Sequence, residues 1–295
     1  LALLSGNIGR SGGGSYYSVY SNRNYNLDAV AAEIERSPVR VLKPMVGRDI
    51  LNADDPPIKM IWVTGCNIVN QAADSNAIAR AFAAVDFKVV VEAFMNDTAE
   101  RADLVLPCAL LLEKEDLVGA AVHNFVNYVA AVADPPGEAR PDHWILSELG
   151  KRLDPRVTLP GAEEFLRSVL GSPFLDVSLE EVRHRGFVEA QRPAIAYEGL
   201  RFDHPDGAFH FPEALSDEPD PAAGYPLRLL SLVRRDAIHS QMLPEEQEVP
   251  PAVWVSPNEP VLQGLDLAAP VYLASPLGKF EVQVPLMADS IVALY

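Results

Sequence analysis

The sequence predicts an α/β fold: a Rossmann-like parallel sheet with helices, followed by a small, partial β-barrel domain. Three observations predict it. The apolar runs Val89-Val90-Val91 and 104–106 flank a segment carrying Asn96, Asp97, Thr98 and Ala99, so polar groups gather where a parallel sheet presents its binding edge. An Ala-rich stretch at 74–85 separates the first run from an earlier β-type run at 58–64. Strand–helix–strand–turn–strand alternation implies parallel pairing with helices on the faces. Beyond Pro226, short β-type runs separated by turns replace that alternation.

Taken in order, residues 1–4 read as the end of a buried helix capped by Gly6, and Gly12 to Gly14 as a flexible turn. A helix is expected over 28–35. The run 58–64 is a strand by its β-branched content, and 74–85 is a helix with Asp74 or Ser75 as its N-cap. Strands follow at 89–91 and 104–106. Trp144, Ile145, Leu149 and Leu153 stand at helical spacing and predict a helix over 142–153, with another at 162–170. Residues 203–224 are rich in Pro, Asp, Glu and Gly, the composition of a linker. The β-type runs of the tail are 227–233, 252–255, 270–274 and 280–284. The expected organisation is an α/β region over 1–170, a helix and linker region over 171–225, and a partial barrel over 226–295. The start, LALLSGNIGRSGGG, lacks the charged residues that open a signal peptide, and the chain reads as a fragment or as the mature part of something longer.

At 295 residues the chain is long enough for two domains and a substantial core. Asp and Glu number 41 against 24 Lys plus Arg, a net charge of −17. That balance argues against unassisted binding to nucleic acid or an anionic membrane, because phosphate contacts need clustered cations. It fits a soluble enzyme subunit. Two cysteines, Cys66 and Cys108, exclude a disulfide framework, and no Cys-x-x-Cys pair is present for zinc or an iron–sulfur cluster. No apolar run approaches the ~20 residues that span a bilayer. The six histidines (123, 143, 184, 204, 210 and 239) include no pair at metal-ligand spacing. His204 and His210 either meet in a hairpin or stand as two exposed loop residues. A nucleophile elbow, a P-loop and a basic–aromatic stripe are all absent.

Four constellations could bear chemistry. In IKMIWVTGCNIVNQ, a strand ending at Gly65 lets backbone approach a ligand closely, and Asn67 can donate and accept hydrogen bonds; the alternative is a plain turn. Glu92 ends the next strand, with Thr98 after it. A carboxylate there can accept the N1–H and exocyclic amine of guanine, or ribose hydroxyls; the alternative is a solvated loop acid. Lys114 stands between Glu113 and Glu115, either as a point charge for phosphate or as a surface lysine with carboxylate neighbours. Gly6 to Gly12 is spaced Gly-x-x-Gly-x-x-Gly rather than Gly-x-Gly-x-x-Gly, with no strand before it, so a nicotinamide site is not expected. None of these is a self-contained catalytic centre.

Their order along the chain resembles the molybdopterin-dinucleotide (dimethyl-sulfoxide-reductase-like) oxidoreductase superfamily, in the C-terminal portion of its catalytic subunit. The resemblance rests on Gly65 and Asn67, Glu92, the block Thr-Ala-x-x-Ala-Asp-x-Val-Leu-Pro at 98–107, Glu113-Lys114-Glu115, Pro136-Gly137, and Asp142 before Trp144. The Gly-rich start is similar to a turn of that family, and the tail from Leu227 looks like the start of its C-terminal barrel. The resemblance implies two pterin guanine dinucleotides holding molybdenum or tungsten, a metal that exchanges two electrons. It implies that Gly65, Asn67, Glu92, Thr98, Lys114 and Asp142 serve one dinucleotide, Glu92 reading guanine or ribose and Lys114 neutralising phosphate. Arg234, Arg235 and Ser240 fall where the barrel's pterin-contacting loop begins. Catalytic residues and metal ligands are assigned to none of the positions here.

The resemblance further implies a missing N-terminal half carrying a 4Fe-4S cluster, and an iron–sulfur or other electron-transfer subunit as partner, without nucleic acid and without direct membrane insertion. The compartment stays open, with the cytoplasm slightly favoured. Departures set this chain in a different branch. Glu92 stands where most members have Asp, Ile68 where most have Pro, and Asp116-Leu117-Val118 with 123–127 replace the usual Gly-Thr and Asn-x-x-Gly-Arg patterns. The same fold also serves as a metal-free structural scaffold in the large peripheral subunit of NADH dehydrogenases. A plain nucleotide-binding α/β protein is the third reading.

Overall fold

The structure, a computed structural model, describes residues 1–14, 24–26, 28–29, 40–120, 123–215, 224–231, 240–248, 250–285 and 293–294. The chain divides into two compact units, each discontinuous in sequence: one comprises 1–36 and 109–217, the other 37–108 and 218–295.

The second of these units holds the parallel sheet. Helix α1 (Val46–Asn52) precedes β1 (Met60–Thr64). The short α2 (Ile68–Gln71) and α3 (Ser75–Ala84) then lead to β2 (Phe87–Glu92), and β3 (Leu104–Pro107) follows. β1 and β3 both pair in parallel with β2, Thr64 opposite Val91 and Glu92 opposite Pro107. The expected strand–helix–strand–turn–strand order is therefore present. Of the two caps the sequence offered, Asp74 is the N-cap of α3, accepting from the Ala77 N–H at 3.0 Å, and Ser75 is the first helical residue. Ile61 and Val63 of β1, Val90 of β2, Val46, Val69, Ile78 and Phe82 of the helices, with Val85 and Ala99, form one core. Val89 and Val91, on the alternate face of β2, are buried as well, as befits a central parallel strand. α1 crosses α3 closely: a Cβ on Gly47 would lie 2.5 Å from the Ile78 nitrogen and 2.6 Å from the Ala77 carbonyl carbon.

The other unit is built on an antiparallel sheet that the sequence did not announce, β4 (Asp116–Gly119), β5 (Phe125–Val129) and β6 (Phe187–Glu189), in the order β4–β5–β6. Three helices accompany it: α4 (Asp142–Gly150), α5 (Ala162–Leu170) and α6 (Leu179–Arg185). α5 has the bounds read from the sequence, while α4 ends at Gly150, three residues before the expected limit. Leu117 and Val126 of the sheet pack with Leu166, Val169 and Leu170 of α5 and Leu179 and Val182 of α6. Ser178 caps α6 by accepting from the Glu181 N–H, and Gly186 ends it at φ +79°. The Gly-rich start has a packing use here, since a Cβ on Gly9 would come within 2.5 Å of the Tyr197 carbonyl oxygen. The helix expected over 28–35 falls, all but residues 28 and 29, outside the described residues.

The tail belongs to the unit of the parallel sheet. It contributes β7 (Leu230–Ser231), β8 (Val253–Trp254), β9 (Val271–Ser275), β10 (Gly278–Val282) and β11 (Ala293–Leu294). These form a three-stranded sheet in the order β7–β11–β8 and a separate β9–β10 hairpin. Where a partial barrel was expected, the described residues show two small sheets and no closed ring. Closure needs an unbroken ladder around the ring. Among the described residues the hairpin strands pair only with each other, and an isolated bridge between Ala252 and Gln283 links the end of β10 to the start of β8. Val253, Val255 and Val282 form a core of three buried residues.

Candidate functional site

The carboxyl edge of the parallel sheet is a connected polar network. β1 runs out at Thr64, and Gly65 turns the chain at φ +60°, in the left-handed region, where a Cβ would have nothing within 4 Å. Glycine is required there by backbone conformation, and the turn stays open. Asn67 follows, 6% exposed. Its Oδ1 accepts from the Thr98 hydroxyl at 2.7 Å, and its Nδ2 donates to the Ser240 carbonyl at 3.1 Å. Thr98 is fully buried, and its hydroxyl also accepts from the Val69 N–H at 3.1 Å. Thr98 therefore acts through Asn67 and the start of α2; its one hydroxyl proton is already donated.

Glu92 closes its own turn. Oε1 accepts from the Ala93 N–H at 2.8 Å and Oε2 from the Asn96 side-chain amide at 2.9 Å. Asn96 is buried, and its Oδ1 accepts from the N–H groups of Thr98 and Ala99. Asp97 extends the network, one carboxylate oxygen accepting from Asn70 and from Gln247, each at 2.8 Å. Segment 240–247 is thus tied to the sheet edge at two points, far from it in sequence. Sequence reasoning missed Asn70, Asp97 and Gln247 as partners, because no local pattern links positions that far apart. Cys66 lies in the same turn, its thiol donating to Gln71 at 2.8 Å. Burial pushes the thiol pKa up and the Glu92 charge adds to that, while Lys43 opposes both.

Lys114 and Asp142 belong to the other unit, where the structure brings them together. The lysine lies 3.5 Å from Asp116 and 3.7 Å from Asp142, at the start of α4. Its sequence neighbours are engaged elsewhere. Glu113 accepts from the Leu110 N–H, and Glu115 is held by Arg183 through two hydrogen bonds of 2.5 and 2.9 Å. The guanidinium keeps the Glu115 carboxyl below its usual value, with a further hydrogen bond from Tyr128. Lys114 is therefore a lysine with two carboxylate partners, a Coulombic arrangement that lowers its value as a phosphate cation. Of the tail residues, Ser240 sits against Asn67, and Arg234 and Arg235 lie outside the described residues.

His204 and His210 do meet. Their rings stack with centroids 4.2 Å apart, and His210 lies 2.9 Å from Asp206. Among the described residues no group of three or more His, Cys, Asp or Glu side chains could hold a metal ion, and no helix is long and apolar enough to cross a membrane. A cavity of about 590 Å³ beside β6, lined in part by His184, Arg185, Phe187 and Glu189, includes none of the candidate cofactor-binding residues named from the sequence.

Comparison with known proteins agrees with the resemblance. Residues 1–152 match the family model "Molybdopterin oxidoreductase". The chain is 29% identical to "Probable oxidoreductase YyaE" of Bacillus subtilis, over 98% of this chain and 47% of that protein. It is 32% identical to "Putative dimethyl sulfoxide reductase chain YnfE" of Escherichia coli, over 53% of this chain and 22% of that protein. It is 42% identical to a "Nitrate reductase" of Symbiobacterium thermophilum, over 34% of this chain and 13% of that protein. Among solved structures, acetylene hydratase from Pelobacter acetylenicus superimposes with a TM-score of 0.67 at 19% identity, covering 85% of this chain and 39% of the other, a likeness of fold. The chain spans about half the length of the Bacillus relative, 47%, and less of the others. With just over half of its residues in the matched region, the chain belongs to the molybdopterin oxidoreductase family.

Proposed function

We propose that this chain is a cofactor-binding part of a molybdenum or tungsten oxidoreductase, and that the carboxyl edge of β1–β3 holds a pterin guanine dinucleotide. The observation that carries the reading is the fixed carboxylate of Glu92 beside the open turn at Gly65, both on the edge where α/β sheets receive ligands. The residues fit such a group. Each Glu92 oxygen takes one donor from its own turn, and a carboxylate has about four acceptor positions, so two donors of a guanine edge can still be received. Gly65 adds no side chain between backbone and ligand. Asn67 and Thr98, engaged with each other, orient that turn rather than change protonation.

When bound, the metal of such a cofactor supplies two-electron exchange; the residues of this chain bind and orient. The remainder of an enzyme as long as the relatives would bring the second dinucleotide contacts and a 4Fe-4S cluster, with an iron–sulfur or other electron-transfer subunit as partner. The tail strands would add to the barrel that closes over the cofactor in this family. The relatives act on different substrates by their names, so the proposal stops at the reaction class. The test is the molybdenum and tungsten content per mole of protein isolated from its native source, for wild type and for Glu92→Ala and His204→Ala. Near-stoichiometric metal that Glu92→Ala lowers more than His204→Ala supports the reading. Intact protein without metal would shift the assignment to a structural scaffold, and equal retention in both variants would remove Glu92 from the site.

A further inference from the structure

Lys114, the phosphate cation that the family resemblance implies, is engaged by Asp116 and Asp142. The other lysines divide sharply. Lys59 pairs with Asp86, Lys88 with Asp103, Lys151 with Glu148, and Lys279 lies over the Tyr272 ring. Lys43 has no ion pair, hydrogen bond or ring contact among the described residues, and it is exposed. Its backbone is nonetheless well fixed. It opens a 3₁₀ turn, Lys43–Met45, whose preceding residue Leu42 donates its N–H to the Asp49 carboxylate at 3.1 Å. Val46, three residues on, is buried in the core against which Cys66 and Ile68 pack. Gly47 then presses α1 onto the backbone at Ala77 and Ile78. The start of α1 and the Gly65–Asn67 turn thereby share one core, through Val46 on one side and Cys66 with Ile68 on the other. The Cys66 thiol senses the result, since the charges of both Lys43 and Glu92 act on it.

We propose that Lys43 is the cation that receives the phosphate of the ligand bound at the Gly65–Asn67 turn, with Glu92 taking the base of the same ligand. The inference rests on the reading of this edge as a dinucleotide site and adds the residue that meets the diphosphate. An ammonium on a flexible stem suits this role, because it offers three donors and a compact charge to oxygens whose exact position the turn sets. An unpaired cation close to an open glycine turn in a chain of net charge −17 also gives an anionic ligand a local field of the right sign.

The test is calorimetric titration of the full chain with inorganic pyrophosphate and, separately, with GDP. Lys43→Gln is compared with Lys43→Arg, with Glu92→Gln, and with Lys59→Gln, which removes the same charge from the residue before the opposite end of β1. Lys43→Gln should weaken both ligands about fivefold, the scale of one partly exposed charge pair, and flatten the salt dependence. Lys43→Arg should restore most of the loss, Lys59→Gln should bind as wild type, and Glu92→Gln should weaken GDP alone. Pyrophosphate binding that is absent in wild type, or unchanged in Lys43→Gln, would overturn the assignment of Lys43. If pyrophosphate binding depends on Lys43 while GDP binds no more tightly and ignores Glu92→Gln, the dinucleotide reading fails and Lys43 stands as a phosphate site. A second readout needs no ligand: in a Cys108→Ser background, Lys43→Gln should move the alkylation profile of Cys66 to higher pH, and an unmoved profile would place Lys43 away from the turn.

Discussion

Thr98→Val is the sharpest test of the network that fixes the sheet edge. Valine keeps the shape and removes the hydroxyl, which donates to Asn67 at 2.7 Å and accepts from Val69 at 3.1 Å. The position is 0% exposed, with Asn67 at 6% and Val69 at 4%, so water does not replace either partner. An unsatisfied buried polar group costs roughly 1–3 kcal/mol, and two are created. The extra buried methyl returns about 0.8 kcal/mol. The expected loss is therefore about 1–5 kcal/mol, or roughly 2–8 °C in Tm at about 1.6 °C per kcal/mol for a chain of this size. Urea denaturation of the full chain followed by far-UV circular dichroism measures it. Combined with Asn67→Ala in a double-mutant cycle, the two changes should fall short of additivity by about 1 kcal/mol, because they remove the same bond. A Thr98→Val loss under about 0.5 kcal/mol, or strict additivity, would refute the buried bridge.

Gly47→Ala should cost about 2 kcal/mol or more, because the new Cβ meets main-chain atoms of α3 at 2.5 and 2.6 Å and neither helix can yield by a rotamer change; an unchanged urea midpoint would deny the close crossing. Glu115→Gln should show a pH signature. Arg183 lowers the Glu115 pKa below its ordinary 4.5, so the pairing stabilises above 4.5 and is lost as pH falls through the lowered value. The gap between wild type and Glu115→Gln, read from urea midpoints, should be widest at neutral pH and close below pH 4.5; a gap independent of pH would exclude the ion pair as its origin. At the sheet edge, a two-oxygen contact to guanine predicts that wild type prefers GDP over IDP, which lacks the exocyclic amine, by about tenfold. Glu92→Gln should erase that preference, and equal binding of GDP and IDP by wild type would sink the two-oxygen contact.

The parallel sheet was legible in the sequence because its strands are β-branched apolar runs ending at Gly65, Glu92 and Pro107, with an Ala-rich helix between the first two. The antiparallel sheet was not. β4 is four residues long, β5 carries Asn127 at its centre, and β6 has three residues, too little for an alternating pattern to rise above noise. α6 did have a readable start, Ser178 followed by Glu181, a spacing known from helix caps. Side-chain partnerships were the hidden part. Lys114 pairs with Asp142 rather than with Glu113 or Glu115, and Asn67 finds its acceptor at Ser240, 173 positions away. Such pairs depend on tertiary approach, which composition and periodicity do not encode. The tail's strands were visible as runs, but whether they close into a ring depends on pairing partners, and among the described residues β9 and β10 pair with each other alone.

The longer side chain of Glu92 has a use in this turn. Its carboxylate must reach back to the Ala93 N–H and across to Asn96, four positions on, and both contacts are short, at 2.8 and 2.9 Å. Asn96 passes the constraint to the N–H groups of Thr98 and Ala99, Thr98 passes it to Asn67, and Asn67 to the Ser240 carbonyl. The chain of contacts joins the end of β2, the turn after β1 and the segment from the tail into one polar unit without a formal charge other than the carboxylate. Such a relay fixes the acid in advance, and under the proposed function that removes an ordering cost from ligand binding. Ile68 fits the same logic. It is the first residue of α2, the position where proline is tolerated because its N–H has no helical partner, so an isoleucine there leaves the turn intact while adding a side chain to the core. These two departures from the pattern that the resemblance implies therefore keep the turn's geometry, and the carboxylate, held by its own loop, still presents acceptor positions at the edge of the sheet.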